Sequence, residues 1–116
     1  MGALDYYVLI GHTPIAVDMF TWGHWLVTAN RQVAWDEIPD AQVSTVFLGL
    51  DHNFYNNGPP ILFETMIFGG PLDGEQWRYA TWKEAERGHA AALAKAKKAA
   101  DQVAKIAKEA GANHKA

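Results

Sequence analysis

Hydrophobic and polar positions along this chain follow two different periods. Tyr6-Tyr7-Val8-Leu9-Ile10 is a short apolar run of strand-forming residues, and Gly11-His12-Thr13-Pro14 after it is turn-forming. Residues 15–17 are therefore expected to pair back as a second short strand. From Asp18 to Asn30 the period changes. Met19, Trp22, Trp25, Leu26 and Ala29 are spaced three, three, one and three, which predicts a helix with Asp18 as its N-cap and Asn30 as its stop. Alternation returns at 32–37, with Val33, Trp35 and Glu37 on one side and Gln32, Ala34 and Asp36 on the other, the pattern of a half-buried strand. Pro39-Asp40 then reads as a turn. Residues 43–50 and 61–68 are apolar at both parities and read as central strands covered on both sides, and residues 75–80 as a last strand.

The helical period returns for good at Thr81. Thr81-Trp82-Lys83-Glu84 fits the capping box, in which hydroxyl and carboxylate each satisfy an exposed backbone N–H. The helix is expected to run to about Ala110 with Gly111 as its stop, and residues 112–116 to fray. Leu93, Ala96, Ala100, Val103, Ala107 and Ala110 recur at intervals of three and four, a heptad seam of mostly small side chains. Alanine favours helix but offers little area to bury. Trp82, Ala85, His89 and Leu93 are expected to dock on the sheet, and the later part of the helix to project or to pack on another copy. The fold class that follows is α+β: a mostly antiparallel sheet of about four or five strands, packed by one short helix and a long C-terminal helix. Residues 1–93 form the compact domain, and residues 94–116 an Ala/Lys-rich extension.

Composition narrows the chemistry. The 116 residues are enough for one domain. With no cysteine, a disulfide scaffold, a zinc–thiolate site and a cysteine nucleophile are excluded. No apolar stretch approaches the length of a membrane span and no signal-peptide pattern opens the chain, so a soluble, cytoplasmic protein without membrane contact is expected. Charge is unevenly divided. Residues 1–89 carry four basic side chains against eleven acids, a balance of −7, and residues 90–116 carry six lysines against two acids, a balance of +4; together they give the net −3. An acidic body with a basic tail generates two opposed fields.

Three blocks carry a resemblance: Val43-Ser-Thr-Val-Phe-Leu-Gly-Leu-Asp-His52, Gly58-Pro-Pro-Ile-Leu-Phe-Glu-Thr-Met-Ile-Phe-Gly69, and Arg78-Tyr-Ala-Thr-Trp-Lys-Glu-Ala-Glu-Arg-Gly-His89. With Thr21-Trp22 and Asn30-Arg31-Gln32-Val33, they resemble a family of small uncharacterised proteins encoded by bacteriophages and prophages. The likeness covers about residues 5–92 and leaves the Ala/Lys tail outside. It implies a phage origin, the cytoplasm of an infected or lysogenic bacterium as the setting, and a compact α+β domain. It carries over no catalytic residues.

Candidate chemistry lies mainly between the two central strands. The ten-residue connection 51–60 is longer than a hairpin needs, and Asp51, His52, Asn53, Phe54, Tyr55 and Asn56 make it the candidate functional loop. Glu64, in an apolar strand on the side of Leu62 and Met66, requires a partner if buried, and Arg78 or Arg31 can supply it. No familiar metal-ligand spacing occurs among the histidines, and no phosphate-binding or nucleophile-elbow motif is present, so neither a metal nor a cofactor is expected. Most of the five tryptophans are expected in the core. Three functions remain. The first is a non-catalytic protein that binds a macromolecular partner, for instance a host factor or defence component. The second is an assembly protein that oligomerises through the C-terminal helix. The third is a small hydrolase using Asp51, His52 and Glu64. Lys95, Lys97, Lys98, Lys105 and Lys108 add nonspecific nucleic-acid contact by the tail as a further candidate.

Overall fold

In the computed structural model, which describes residues 5–55 and 57–114, the first two apolar runs close on each other. β1 (Tyr6–Ile10) and β2 (Thr13–Val17) pair antiparallel, from Tyr6 opposite Val17 to Ile10 opposite Thr13. Gly11 takes a φ of +63° in the tight connection, which only a residue without a Cβ adopts freely. α1 (Met19–Leu26) follows, capped by Asp18, whose carboxylate accepts the Thr21 N–H at 2.9 Å and the Thr21 hydroxyl at 2.8 Å. The helix ends at Leu26, short of the stop read from the spacing. Asn30 instead accepts the N–H of Gln32 and turns the chain into the next strand.

β3 (Gln32–Ile38), β4 (Ala41–Phe47), β5 (Phe63–Phe68) and β6 (Gln76–Tyr79) form a separate four-stranded antiparallel sheet in sequence order. Pro39-Asp40 is the turn between β3 and β4, with Asp40 at φ 68°. The simple alternation read for β3 fails at its start, where a bulge shifts the register between Gln32 and Ala34. Val33 thereby joins the core beside Phe47, while the Gln32 amide bridges the bulge to the carbonyls of Ala34 and Thr45 and to the Ser44 hydroxyl.

Directly opposed residues share a face of the sheet. Val43 with Ile67, Thr45 with Thr65 and Phe47 with Phe63 point inward and are fully buried. α2 (Trp82–His114) covers this face lengthwise. Ala85 packs with Phe47 and Phe63, and Ala92 and Ala96 pack with Val43 and Ile67. The capping box forms as the sequence implies: the Thr81 hydroxyl accepts the Glu84 N–H and the Glu84 carboxylate accepts the Thr81 N–H, both at 3.1 Å. Gly88 permits the closest approach, because a Cβ there would stand 2.1 Å from the Tyr79 ring.

The opposite face carries Gln42, Ser44 and Val46 against Phe68, Met66 and Glu64, and nothing among the described residues covers it. This corrects the expectation of strands buried on both sides. At 1.5 Å per residue α1 is only about 12 Å long, and it joins the hairpin at the end of the sheet instead. Trp25 meets Phe47 edge-on, Tyr6 packs on Trp22, and the Tyr7 N–H donates to the Gly49 carbonyl at 2.9 Å. Burial along α2 continues past residue 93 to Ala96, and Ala100 is half-buried. The helix then runs on alone, through Gly111 without a left-handed turn, to His114, and the molecule measures 67 × 30 × 20 Å. No helix among the described residues is long and apolar enough to cross a membrane.

Candidate functional site

The loop 51–60 holds its shape with its own polar side chains. Asp51 Oδ1 accepts the N–H groups of Asn53 at 2.8 Å and Ile61 at 2.9 Å. His52 donates its backbone N–H to the Ile61 carbonyl and its Nδ1–H to the Leu50 carbonyl at 2.8 Å. Asn53 donates to the carbonyls of Asn57 and Pro59 and accepts the N–H of Tyr55. The loop is thereby cross-tied at its neck, and Phe54 and Tyr55 stand outward, 66% and 86% exposed. Asn56, the remaining candidate of this loop, lies outside the described residues.

Glu64 is paired, but neither it nor Arg78 is buried as expected, because no element covers this side of β5 and β6 among the described residues. Arg78 Nε donates to Glu64 Oε2 at 2.9 Å on the uncovered face of the sheet, where β5 and β6 place the two residues directly opposite. Arg31, the other candidate, directs its guanidinium at the Phe47 carbonyl at 3.5 Å. Leu62, read as sharing a side with Glu64, lies in the core with Phe63 because the strand begins only after it. Asp51, His52 and Glu64 therefore form no common centre: the first two tie the loop, and the third is an ion pair on the sheet.

A polar chain that the sequence reading did not assemble crosses the core instead. Thr65 Oγ1 lies 2.5 Å from Thr45 Oγ1, Thr45 Oγ1 2.7 Å from His89 Nδ1, and His89 Nε2 2.8 Å from Asp36 Oδ2. The order carboxylate–imidazole–hydroxyl matches that of a nucleophilic triad. Both threonines are 0% exposed, however, so no substrate reaches either hydroxyl. The chain instead joins α2 to β3, β4 and β5 through groups that satisfy one another. The available signal was positional. Thr45 and Thr65 interrupt the two apolar strands, and His89 interrupts the apolar stripe of α2 at the matching depth. Five tryptophans divide as Trp22, Trp25, Trp77 and Trp82 half-buried, with Trp35 exposed on the uncovered face.

The tail lysines do not act as one group. Lys95 reaches back to Glu75 at 3.3 Å and sits 5.1 Å above the Trp77 ring, while Lys97, Lys98, Lys105 and Lys108 are exposed. Where the helix leaves the sheet, an apolar cleft of about 390 Å³ opens between it and the turns at Pro39–Ala41 and Gly69–Leu72, lined by Ile67, Leu72, Ala96, Ala100 and Val103. Among the described residues, two titrating groups are displaced. Burial, then the nearby carboxylates of Asp5 and Asp51, raises the Tyr7 hydroxyl above its ordinary value. The hydrogen bonds from Thr21, backbone first and hydroxyl second, hold the Asp18 carboxyl below its ordinary value. Among the described residues no three histidine or acidic side chains converge as metal ligands. No family model, no curated protein and no solved structure matches this chain.

Proposed function

We infer that this chain is a non-catalytic binding module: a small phage accessory protein that acts in the host cytoplasm by engaging a macromolecular partner, such as a host factor or defence component. The observation that carries this reading is the loop 51–60. The side chains of Asp51, His52 and Asn53 are spent on shaping it, while two adjacent aromatic side chains, Phe54 and Tyr55, face solvent. Ordering an exposed side chain on binding costs free energy, and a loop already tied at its neck has less left to lose. Aromatic anchors on such a loop give large contact area for few rotatable bonds. The body's balance of −7 over residues 1–89 favours a partner with a basic surface.

The test compares the full chain with the Phe54→Ser/Tyr55→Ser variant as baits in host lysate, followed by titration of the purified partner. Both side chains are exposed, so the variant should keep the wild-type circular dichroism and melting temperature. At least a tenfold loss of affinity is expected. Unchanged affinity for a partner that titrates with wild type would overturn the assignment of the surface. Failure of the purified chain to bind any macromolecule would overturn the function.

A further inference from the structure

Among the described residues, two of the faces left without a partner fit each other only between copies. One is the outer face of the four-stranded sheet, where Trp35 is 47% and Phe68 45% exposed. The other is the end of α2. Positions 85, 89, 92 and 96, which dock on the sheet, lie on one helical stripe, and the same stripe continues through 99, 103, 106, 107 and 110. Beyond Ala100 it has no sheet beneath it: Val103 is 51% and Ile106 65% exposed.

We propose that this chain forms a two-fold dimer in which the projecting end of each α2 lies on the outer sheet face of the other copy. The proposal rests on surfaces separate from the loop 51–60. Its geometry closes. α2 runs along the central strands, so its exposed stripe beyond the sheet looks in the same direction as its docked stripe. Place a second molecule inverted against the open end of the first, with the two sheets end to end in one layer. Each helix then covers the inner face of its own sheet and reaches over the outer face of its neighbour's. The result is a three-layer assembly in which each helix end covers the near end of its neighbour's outer face.

Length agrees with this arrangement. Residues 101–114 of the helix span about 21 Å at 1.5 Å per residue. A seven-residue strand such as β4 spans about 23 Å. The projecting helix is thus about as long as a strand, but its first two turns cross the facing loops of the two copies, so Ala110 falls near Gln42 and Phe68 of the other copy. The cleft at the foot of the projection receives the neighbour's turns at Asp40 and Gly70. Small side chains on the stripe suit this role, as Ala85, Ala92 and Ala96 already pack against Phe47, Phe63, Val43 and Ile67 within one molecule. The acidic body and basic tail favour the contact of one copy's tail with the other's body. A helix about 10 Å wide over about 20 Å covers roughly 200 Å². Two such contacts, counted on both partners, bury about 800 Å², below the standard size of a stable interface, so the dimer is a weak one.

Sedimentation of the full chain from low micromolar to near-millimolar concentration should show a reversible monomer–dimer equilibrium. Ile106→Glu and Phe68→Glu change exposed side chains on opposite elements. Each should weaken dimerisation at least tenfold, while Phe54→Ser leaves it unchanged. Because the chain has no cysteine, Ala110→Cys with Gln42→Cys should yield an oxidised dimer through unlike positions. A monomer throughout overturns the proposal without touching the loop reading. So does a dimer that ignores Phe68→Glu or cross-links readily through Ala110→Cys alone, which means helix-to-helix pairing. Tail binding to a nucleic acid in place of self-association, lost steeply with salt, also overturns it.

Discussion

Substituting Gly88 by alanine tests how α2 is seated. In a solvent-exposed helix this change stabilises by about 1 kcal/mol, because alanine is the better helix former. Here the new Cβ would stand 2.1 Å from Cζ and the hydroxyl oxygen of Tyr79 and 2.3 Å from Cε1. Ordinary carbon contacts begin near 3.5 Å, so a gap of about 1.4 Å must open. Either the Tyr79 ring leaves its place over the helix, or α2 lifts. Lifting strains the 2.7 Å contact of His89 with Thr45 and the packing of Ala85 and Ala92 on either side. Overpacking of this kind costs about 1–3 kcal/mol, and more where a ring must move. Less the gain in propensity, Gly88→Ala should lower stability by up to about 2 kcal/mol, read as a shift of the urea midpoint at constant slope. The same substitution in a Tyr79→Ala background meets no ring and should raise stability by about 1 kcal/mol relative to that background. The sign change isolates the contact by a double-mutant cycle. A stabilising Gly88→Ala in the wild type, or an equal cost in both backgrounds, refutes the reasoning.

Two further outcomes follow from the core and the first helix. Thr45→Val keeps the shape of the side chain but strips the shared partner from Thr65 and from His89 Nδ1; it should cost about 1–3 kcal/mol in urea unfolding, and a cost below about 0.5 kcal/mol would mean that the polar chain adds nothing beyond shape. Asp18 has its folded carboxyl held down by Thr21, so its contribution is present above the ordinary aspartate range and is lost as pH falls through the lowered folded value; the melting temperature of Asp18→Asn should fall less than that of wild type between neutral and acid pH, and parallel curves would refute the assignment.

The elements whose physics is local were legible. Asp18 and the Thr81–Glu84 pair each act within three residues, and both caps form as their sequences imply. Pro39-Asp40 turns because proline presets one angle and aspartate tolerates the next. What the chain order hides is which apolar face finds a cover. Strands 43–50 and 61–68 carry apolar residues at both parities, and parity alone cannot say that only one helix is long enough to cover them. The β3 bulge exchanges the sides of Gln32 and Val33 for a reason that lies on β4. In the candidate site, the Glu64–Arg78 pairing was legible from an acid in an apolar strand, but the open face on which the pair sits was not. Asp51 and His52 are catalytic residue types used as loop ties. Asp36 and His89 stand 53 positions apart, and only the docked helix brings them to 2.8 Å.

Pairing of each strand with its immediate neighbour in the chain bears on how the molecule forms. β1 closes on β2 across two residues, and β3 to β6 form a meander without a crossover. Apart from the β4–β5 step, which spans residues 48–62, each closes only a short loop, which keeps the entropic barrier low and favours rapid folding. The longest-range step is the docking of α2, where His89 must find Thr45 and Asp36 across half the chain. The sheet can assemble hairpin by hairpin as the chain emerges, but its inner face stays wet until the last third of the polypeptide arrives. A nascent or truncated chain lacking α2 would display Val43, Phe47, Phe63 and Ile67 together, and that apolar surface is where self-association during synthesis would begin.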